Sequence, residues 1–102
     1  MKVIAVDFDG TLCENKYPEI GEPKHSVIRR LLQEQDRGAK IILWTCREGQ
    51  LLDNAVAKCS EWGIIFDAVN TNLPERIEQF GSDCRKVGAT EYWDDRAVAI
   101  ID

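Results

Sequence analysis

The segment that most constrains the fold of this chain is the apolar run Val3-Ile4-Ala5-Val6, with Asp7 and Asp9 directly after it. An apolar run rich in β-branched residues that ends in a Gly-Thr turn is typical of a buried strand. Residues two apart on an extended chain share a face, so Asp7 and Asp9 would point into one crevice and Phe8 into the core. Open α/β sheets bind ligands at the carboxyl ends of their strands. The sequence therefore predicts a ligand site at this edge of an α/β sheet.

A second acidic pair, Asp94-Asp95, follows the strand-like segment from Thr90 to Trp93. Neighbouring carboxylates repel one another, and a cation beside them favours their ionised forms. Sites built only of oxygen ligands suit a hard divalent ion such as Mg²⁺. Two strands that deliver acids to one sheet edge are difficult to explain by packing alone. We therefore expect a Mg²⁺ site at Asp7 and Asp9, with the second acidic pair delivered to the same edge of the sheet.

Apolar periodicity divides the chain into alternating strands and helices. The predicted strands cover residues 2–8, 39–44, 64–69, 90–93 and 97–101, and the predicted helices cover residues 24–37, 49–62 and 74–80. Strands that alternate with helices favour right-handed parallel crossovers. At 102 residues the chain has room for one modest core. The prediction is a single α/β domain over residues 1–102, Rossmann-like, with a five-stranded, mostly parallel sheet and helices on both faces.

The segment from Gly10 to Pro23 contains two prolines and two glycines. This content excludes a long helix and predicts a turn with a small hairpin flap over the end of the first strand. The segment is too short for a folded cap domain. The ligand site is therefore expected to be an open cleft, suited to a large substrate or to one that a neighbouring subunit of a homo-oligomer encloses.

Composition narrows the classes of partner. The formal net charge is −5 and no basic patch stands out beyond Arg29-Arg30, which disfavours nucleic acid as a partner. The sequence shows no apolar run long enough to span a bilayer and no secretory signal, so we expect no membrane partner and a cytoplasmic location. The four cysteines lack a Cys-x-x-Cys spacing and are expected to be reduced thiols rather than disulfides or zinc ligands.

The segment Asp7-Phe8-Asp9-Gly10-Thr11-Leu12 resembles the first motif of the haloacid dehalogenase (HAD) superfamily, Asp-x-Asp-x-Thr after a hydrophobic strand. The resemblance implies that Asp7 is a phosphate-accepting nucleophile and that Asp9 is a general acid and base. Thr45 ends the second predicted strand and resembles the second motif, in which a hydroxyl binds a phosphate oxygen. The resemblance also implies a cap-less protein whose first strand is central, in the sheet order 5-4-1-2-3.

Lys86 resembles the third HAD motif, a lysine that steadies the charge of the nucleophile and of the phosphate. The pair Asp94-Asp95 resembles the fourth motif, the acidic pair that completes the magnesium site. The spacing from Lys86 to Asp94 is shorter than in most HAD proteins, so Arg85 and Arg47 remain alternatives for the phosphate-binding cation. Arg47 could bind a phosphate bidentately, or it could pair with a carboxylate on the surface.

The resemblance covers nearly the whole chain and implies a Mg²⁺-dependent, phosphatase-like hydrolase. Such a phosphoric monoester hydrolase would act on a phosphorylated substrate through an aspartyl-phosphate intermediate. The metal would be bound by a carboxylate oxygen of Asp7, the backbone carbonyl of Asp9 and the carboxylate of Asp94. Asp95 would orient the metal-bound waters or the backbone.

Other functions remain open at this point. A domain of the same fold could bind metal, phosphate or a protein partner without turnover. A phospho-receiver domain is disfavoured, because its acceptor Asp ends the third strand, where this chain has Asn70. For Asn70 and Asn72, side-chain bonds to the local backbone are the favoured interpretation and substrate contact is the alternative. The leaving group of the substrate could be a sugar, a nucleoside or a protein.

Overall fold

The computed structural model describes residues 1–101, and its sheet is centred on the N-terminal strand. The strands are β1 (Val3–Val6), β2 (Cys13–Lys16), β3 (Glu19–Pro23), β4 (Lys40–Leu43), β5 (Ala68–Val69) and β6 (Glu91–Trp93). The helices are α1 (His25–Asp36), α2 (Gly49–Glu61) and α3 (Pro74–Phe80). Among residues 1–101, no helix is both long enough and apolar enough to cross a bilayer.

The main sheet has the strand order β5-β4-β1-β6, and all of its pairings are parallel. The expected central position of the first strand is confirmed. Val6 pairs with Leu43 on one side and with Trp93 on the other. The residues that follow these three therefore leave the sheet at the same level. This register brings Asp7 and Asp94 to one edge, as the sequence predicted.

The prediction of a fifth strand over residues 97–101 is wrong, because the sheet has four strands among the described residues. Val98, Ile100 and Ile101 are 81%, 86% and 89% exposed. After β6 the chain enters a turn in which the Ala97 N–H donates to the Asp94 carbonyl at 3.2 Å. An apolar run forms a strand only where a neighbouring strand offers ladder hydrogen bonds. This run makes no such pairing within the described residues, in spite of its β-branched composition.

The alternation of side chains along the strands builds a core on each face of the sheet. On one face, Ile4 and Val6 pack in a cluster with buried residues of α1 and α2. On the other face, Ala5 packs with Leu73, directly before α3, and with Val87. The helix α3 itself has no buried residue. The sequence predicted helices on both faces of the sheet. Buried residues of α1 and α2 cover one face, whereas the other face is covered by fewer buried residues, none of which lies in α3.

The segment after β1 forms the predicted hairpin, in which β2 and β3 pair in antiparallel fashion. A bulge lies between Cys13 and Asn15. Phe8 is fully buried, and its ring stacks on Trp62 with centroids 6.1 Å apart, which confirms its predicted place in the core. Because Phe8 points inward, the carboxylates on either side of it are left at the edge of the sheet.

Candidate active site

A cleft of about 560 Å³ lies where β1, β4 and β6 end. Its lining combines acids from β1 and β6, the end of β4, and the hairpin. The lining residues are Asp7, Asp9, Asn15, Tyr17, Trp44, Thr45, Cys46, Asp94 and Arg96. The cleft thus contains most of the residues that the sequence placed in a ligand site, together with side chains of the flap.

The carboxylates of Asp7, Asp94 and Asp95 form a cluster in which one oxygen from each lies within 4.8 Å of the others. Backbone pairing fixes the first of them, because the Asp7 N–H donates to the Trp93 carbonyl at 2.9 Å. Asp95 is fixed by Thr11, whose hydroxyl oxygen accepts from the Asp95 N–H at 3.0 Å. Three carboxylate oxygens at this spacing are a donor set that fits Mg²⁺, which keeps several waters as its remaining ligands.

Gly10 allows the close approach of Asp95 to the loop after β1. A Cβ atom at position 10 would lie 2.5 Å from Oδ2 of Asp95, and the Gly10 φ is +91°. Both the backbone conformation and the missing side chain are therefore required at this position. The glycine of the Asp-x-Asp-Gly-Thr segment thus makes room for the acidic cluster.

We expect Gly10→Ala to destabilise the fold more than Gly38→Ala and to weaken Mg²⁺ binding. Gly38 is the matched control, because its φ is +95° and a Cβ there would meet nothing within 4 Å. In the control, the free energy of unfolding should fall only by the cost of placing alanine at a positive φ, about 1–2 kcal/mol. Gly10→Ala should lose more and reduce Mg²⁺ affinity roughly tenfold, because it displaces a carboxylate of the cluster. Urea unfolding and calorimetric Mg²⁺ titration measure the two effects, and equal losses in both variants would contradict the role given to Gly10.

Burial raises the pKa of Asp7 from its ordinary value of 3.8 to about 6. Burial is the largest contribution to this rise in the pKa, a hydrogen bond from the backbone of Phe8 opposes it, and the negative charges of Asp94, Asp95 and Asp9 add to it. The cleft therefore disfavours the charged form of Asp7 relative to an exposed carboxylate, and a cation bound beside it would reduce this effect. The electrostatics of the cleft and its donor set agree in favouring a cation.

In EDTA, Asp7→Asn should raise the melting temperature at about pH 7.5 and have little effect at about pH 3.5. The pKa of Asp7 is raised on folding, so its contribution to stability is greatest below 3.8 and is lost as the pH rises through about 6. Asparagine cannot ionise and avoids that loss. Thermal unfolding across the pH range tests this, with Asp53→Asn on the exposed side of α2 as the charge control. A gain that is the same at every pH would contradict the assignment.

Arg47 is buried and forms a bidentate ion pair with Asp9. Its Nε and Nη2 donate to Oδ2 and Oδ1 of Asp9, each at 2.8 Å, and the residue is 2% exposed. The same guanidinium donates to the hairpin carbonyls of Pro18 at 3.2 Å and Glu19 at 2.9 Å. The hydrogen bond to Asp9 raises the pKa of Arg47. Of the two roles that the sequence left open for Arg47, the geometry supports pairing with a carboxylate, and this carboxylate is partly buried rather than on the surface.

Thr45 lies at the end of β4, where Asn70 supports its backbone. Oδ1 of Asn70 accepts from the Thr45 N–H at 2.8 Å, and Nδ2 of Asn70 donates to the Arg47 carbonyl at 3.4 Å. Asn72 is 1% exposed, and its Oδ1 accepts from the Gly88 N–H at 2.6 Å. The favoured interpretation of both asparagines holds only in part, because their side chains bond to backbone groups that are distant along the chain rather than local. Their reach extends beyond the local turn, because each ties two separate loops together.

Lys86 is not brought to the cleft. It is exposed, and its ammonium lies 5.3 Å from the ring centroid of Tyr92. Two other basic residues take positions that sequence reasoning missed. Arg96 lines the cleft, and Nζ of Lys24 donates to the Gly10 carbonyl at 2.7 Å. Arg96 could have been found, because it directly follows Asp94-Asp95, whereas the sequence offers no local signal for Lys24.

The fold and the site define an α/β protein with a parallel sheet and an acidic cluster at the carboxyl ends of its strands. A solved structure of a conserved protein from Bacteroides thetaiotaomicron is similar over 99% of this chain and 82% of that chain, with 43% sequence identity and a TM-score of 0.85. The chain belongs to the same family as that protein. No protein-family model matches the sequence, and no curated protein matches it significantly.

Proposed function

We propose that this protein is a Mg²⁺-dependent phosphatase of the HAD type that hydrolyses phosphomonoesters through an aspartyl-phosphate on Asp7. The observation that carries the proposal is the carboxylate cluster of Asp7, Asp94 and Asp95, with oxygens within 4.8 Å of one another at the edge of an open cleft. A carboxylate nucleophile beside a site for a divalent cation suits phosphoryl transfer, because the cation can neutralise the charge on the phosphoryl oxygens next to the attacking oxygen.

The residues present fit a magnesium ion. Asp7, Asp94 and Asp95 would hold it through carboxylate oxygens, and the resemblance to the HAD motif adds the backbone carbonyl of Asp9. Bound Mg²⁺ would neutralise negative charge on the phosphoryl oxygens and position them. Because Asp95 belongs to the cluster, we assign it a ligand oxygen in addition to the orienting role that the sequence suggested.

In the proposed reaction, a carboxylate oxygen of Asp7 attacks phosphorus and the bond from phosphorus to the leaving oxygen breaks. Asp9 gives a proton to that oxygen, which leaves as an alcohol. Water then attacks the phosphorus of the aspartyl-phosphate, Asp9 takes a proton from it, and the Asp7 carboxylate is released with phosphate. Thr45 would donate its hydroxyl to a phosphoryl oxygen. Arg96, which lines the cleft, replaces Lys86 as the proposed phosphate-binding cation.

A second candidate function is binding of metal or phosphate without turnover. The ion pair of Asp9 favours it, because both carboxylate oxygens of Asp9 accept from Arg47 at 2.8 Å. A carboxylate bound in this way must release one oxygen before it can carry a proton to the leaving group. The two candidates therefore differ in whether this pair opens when substrate binds.

A screen of phosphorylated metabolites with Mg²⁺, repeated in EDTA, tests the proposal. We expect phosphate release from some phosphomonoesters that requires Mg²⁺ and stops in EDTA. Calorimetric titration with Mg²⁺ alone reports metal binding independently of turnover. Mg²⁺ binding with no phosphate release from any substrate would support the second candidate, and absence of both would overturn the proposal.

A further inference from the structure

Two aromatic rings line the cleft beside the carboxylate cluster. Tyr17 lies in the turn of the hairpin and is 57% exposed, and Trp44 follows β4 directly. Tyr17 comes from the hairpin and Trp44 from the end of a sheet strand, so two separate elements contribute the rings. A large exposed aromatic side chain on a loop at a ligand site indicates a role in recognition.

Both rings are positioned by neighbouring side chains. The guanidinium of Arg47 lies 5.2 Å from the ring centroid of Tyr17, and the same guanidinium is fixed by Asp9. Trp44 packs against Tyr92, with ring centroids 5.6 Å apart. A ligand that stacks on these rings therefore meets surfaces that are already ordered, which lowers the entropic cost of binding.

The size and chemistry of the cleft limit the ligand. Its volume of about 560 Å³ is typical of a site for a small molecule rather than for a protein surface. Away from the acids and Arg96, the lining offers the two rings, Thr45, Cys46 and Asn15. Oδ1 of Asn15 accepts from the Tyr17 N–H at 3.2 Å, so this oxygen is already hydrogen-bonded within the hairpin. This lining suits a leaving group that includes a flat ring better than a sugar alone, which needs many hydrogen bonds.

We propose that the substrate is a small phosphomonoester whose leaving group carries a planar ring, as a nucleoside does, and that the ring stacks on Tyr17 and Trp44. The inference rests on the proposed function for the position of the phosphate at Asp7. Stacking on an aromatic side chain is tolerant of the identity of the base. The site therefore distinguishes ligands that carry a ring from ligands that lack one, and it distinguishes less between rings with different hydrogen-bonding groups.

The test compares adenosine 5′-monophosphate with ribose 5-phosphate, which carry the same primary phosphate ester and differ in the base. With Mg²⁺ present, kcat/KM should be roughly tenfold or more higher for the nucleotide. Tyr17→Leu should reduce this ratio, and Tyr17→Phe should restore most of it. Phe80→Leu is the matched control, since Phe80 is also exposed, at 61%, and also lies over an arginine, Arg76, at 4.8 Å. It should leave the ratio unchanged.

Calorimetric titration of Asp7→Asn with the same two compounds and Mg²⁺ gives a second measurement that needs no turnover. Tighter binding of the nucleotide, lost in a Tyr17→Leu background, supports the ring site even if the wild-type protein hydrolyses neither compound, because hydrolysis tests the proposed function and binding tests the ring site. Equal kcat/KM and equal affinity for the two compounds would overturn the ring site. A Tyr17→Leu variant that keeps the full ratio would overturn it as well.

Discussion

Replacing Asp7 with Asn should abolish phosphate release and prevent any phosphoryl group from attaching to the protein. The carboxylate is the proposed nucleophile, and an amide cannot take its place. The same change removes one of the three clustered oxygens that fit Mg²⁺, so metal affinity should fall too. Because the pKa of Asp7 is raised to about 6, the variant should be the more stable protein in EDTA at neutral pH. Loss of activity would then come with a gain in stability, as is common for active-site residues.

Two quantities are measured for this variant, for Asp53→Asn and for Asp9→Asn. They are the rate of phosphate release and the amount of acyl-phosphate formed on the protein. Asp53 lies on the exposed side of α2, and its variant should retain wild-type turnover. Asp9→Asn should bind Mg²⁺ but lose roughly 100-fold or more in rate. With a leaving group of low pKa it should still phosphorylate Asp7 and accumulate that intermediate. The mechanism is wrong if Asp7→Asn keeps near wild-type activity.

Arg47→Met should destabilise the fold by about 3–5 kcal/mol, the usual effect of removing one partner from a buried ion pair. The Arg47 and Asp9 side chains are 1% and 15% exposed, so the remaining carboxylate would be left largely desolvated. The hairpin would also lose its two hydrogen bonds from Arg47, at the carbonyls of Pro18 and Glu19. Urea unfolding measures the loss, and the hairpin should become more accessible to proteases.

The matched control is Lys40→Met. Lys40 and Asp67 form an ion pair at 3.7 Å, but their side chains are 44% and 33% exposed, so the loss should be less than about 1 kcal/mol. Combining Arg47→Met with Asp9→Asn should recover part of the lost stability, because the second change removes the unpaired charge. Strictly additive losses in the double variant would show that the two side chains are not energetically coupled.

The sequence predicts the elements whose signals are local. The hairpin follows from the prolines and glycines between Gly10 and Pro23, and α1 and α2 follow from their apolar spacing, with ends within a few residues of those predicted. Residues 97–101 carry a similarly clear strand signal but form no strand. Strand formation depends on a partner that is distant in sequence, and composition does not report whether one is available.

The same distinction separates the parts of the candidate site. Asp7 and Asp94 reach one edge because each directly follows a strand, which is a local pattern. Which cation meets which acid is decided by the tertiary fold. The sequence favoured Lys86 as the phosphate-binding cation and left Arg47 as an alternative, yet Arg47 is buried against Asp9 and Lys86 lies on the surface beside Tyr92. Long, flexible basic side chains can reach in many directions, so their partners cannot be read from spacing.

The pairing of β1 with β6 has a consequence for how the protein is made. Val3 bonds to Thr90, 87 residues further along the chain, and Thr11 bonds to Asp95, 84 residues further along. At synthesis rates of about 5–20 residues per second, β1 leaves the ribosome roughly 4–17 s before β6. During that interval β1 can pair with β4, but its other edge has no partner and the carboxylate cluster is incomplete. The cluster of Asp7, Asp94 and Asp95 can therefore form only after β6 has left the ribosome, so a cation bound by all three carboxylates could not guide the earlier steps of folding.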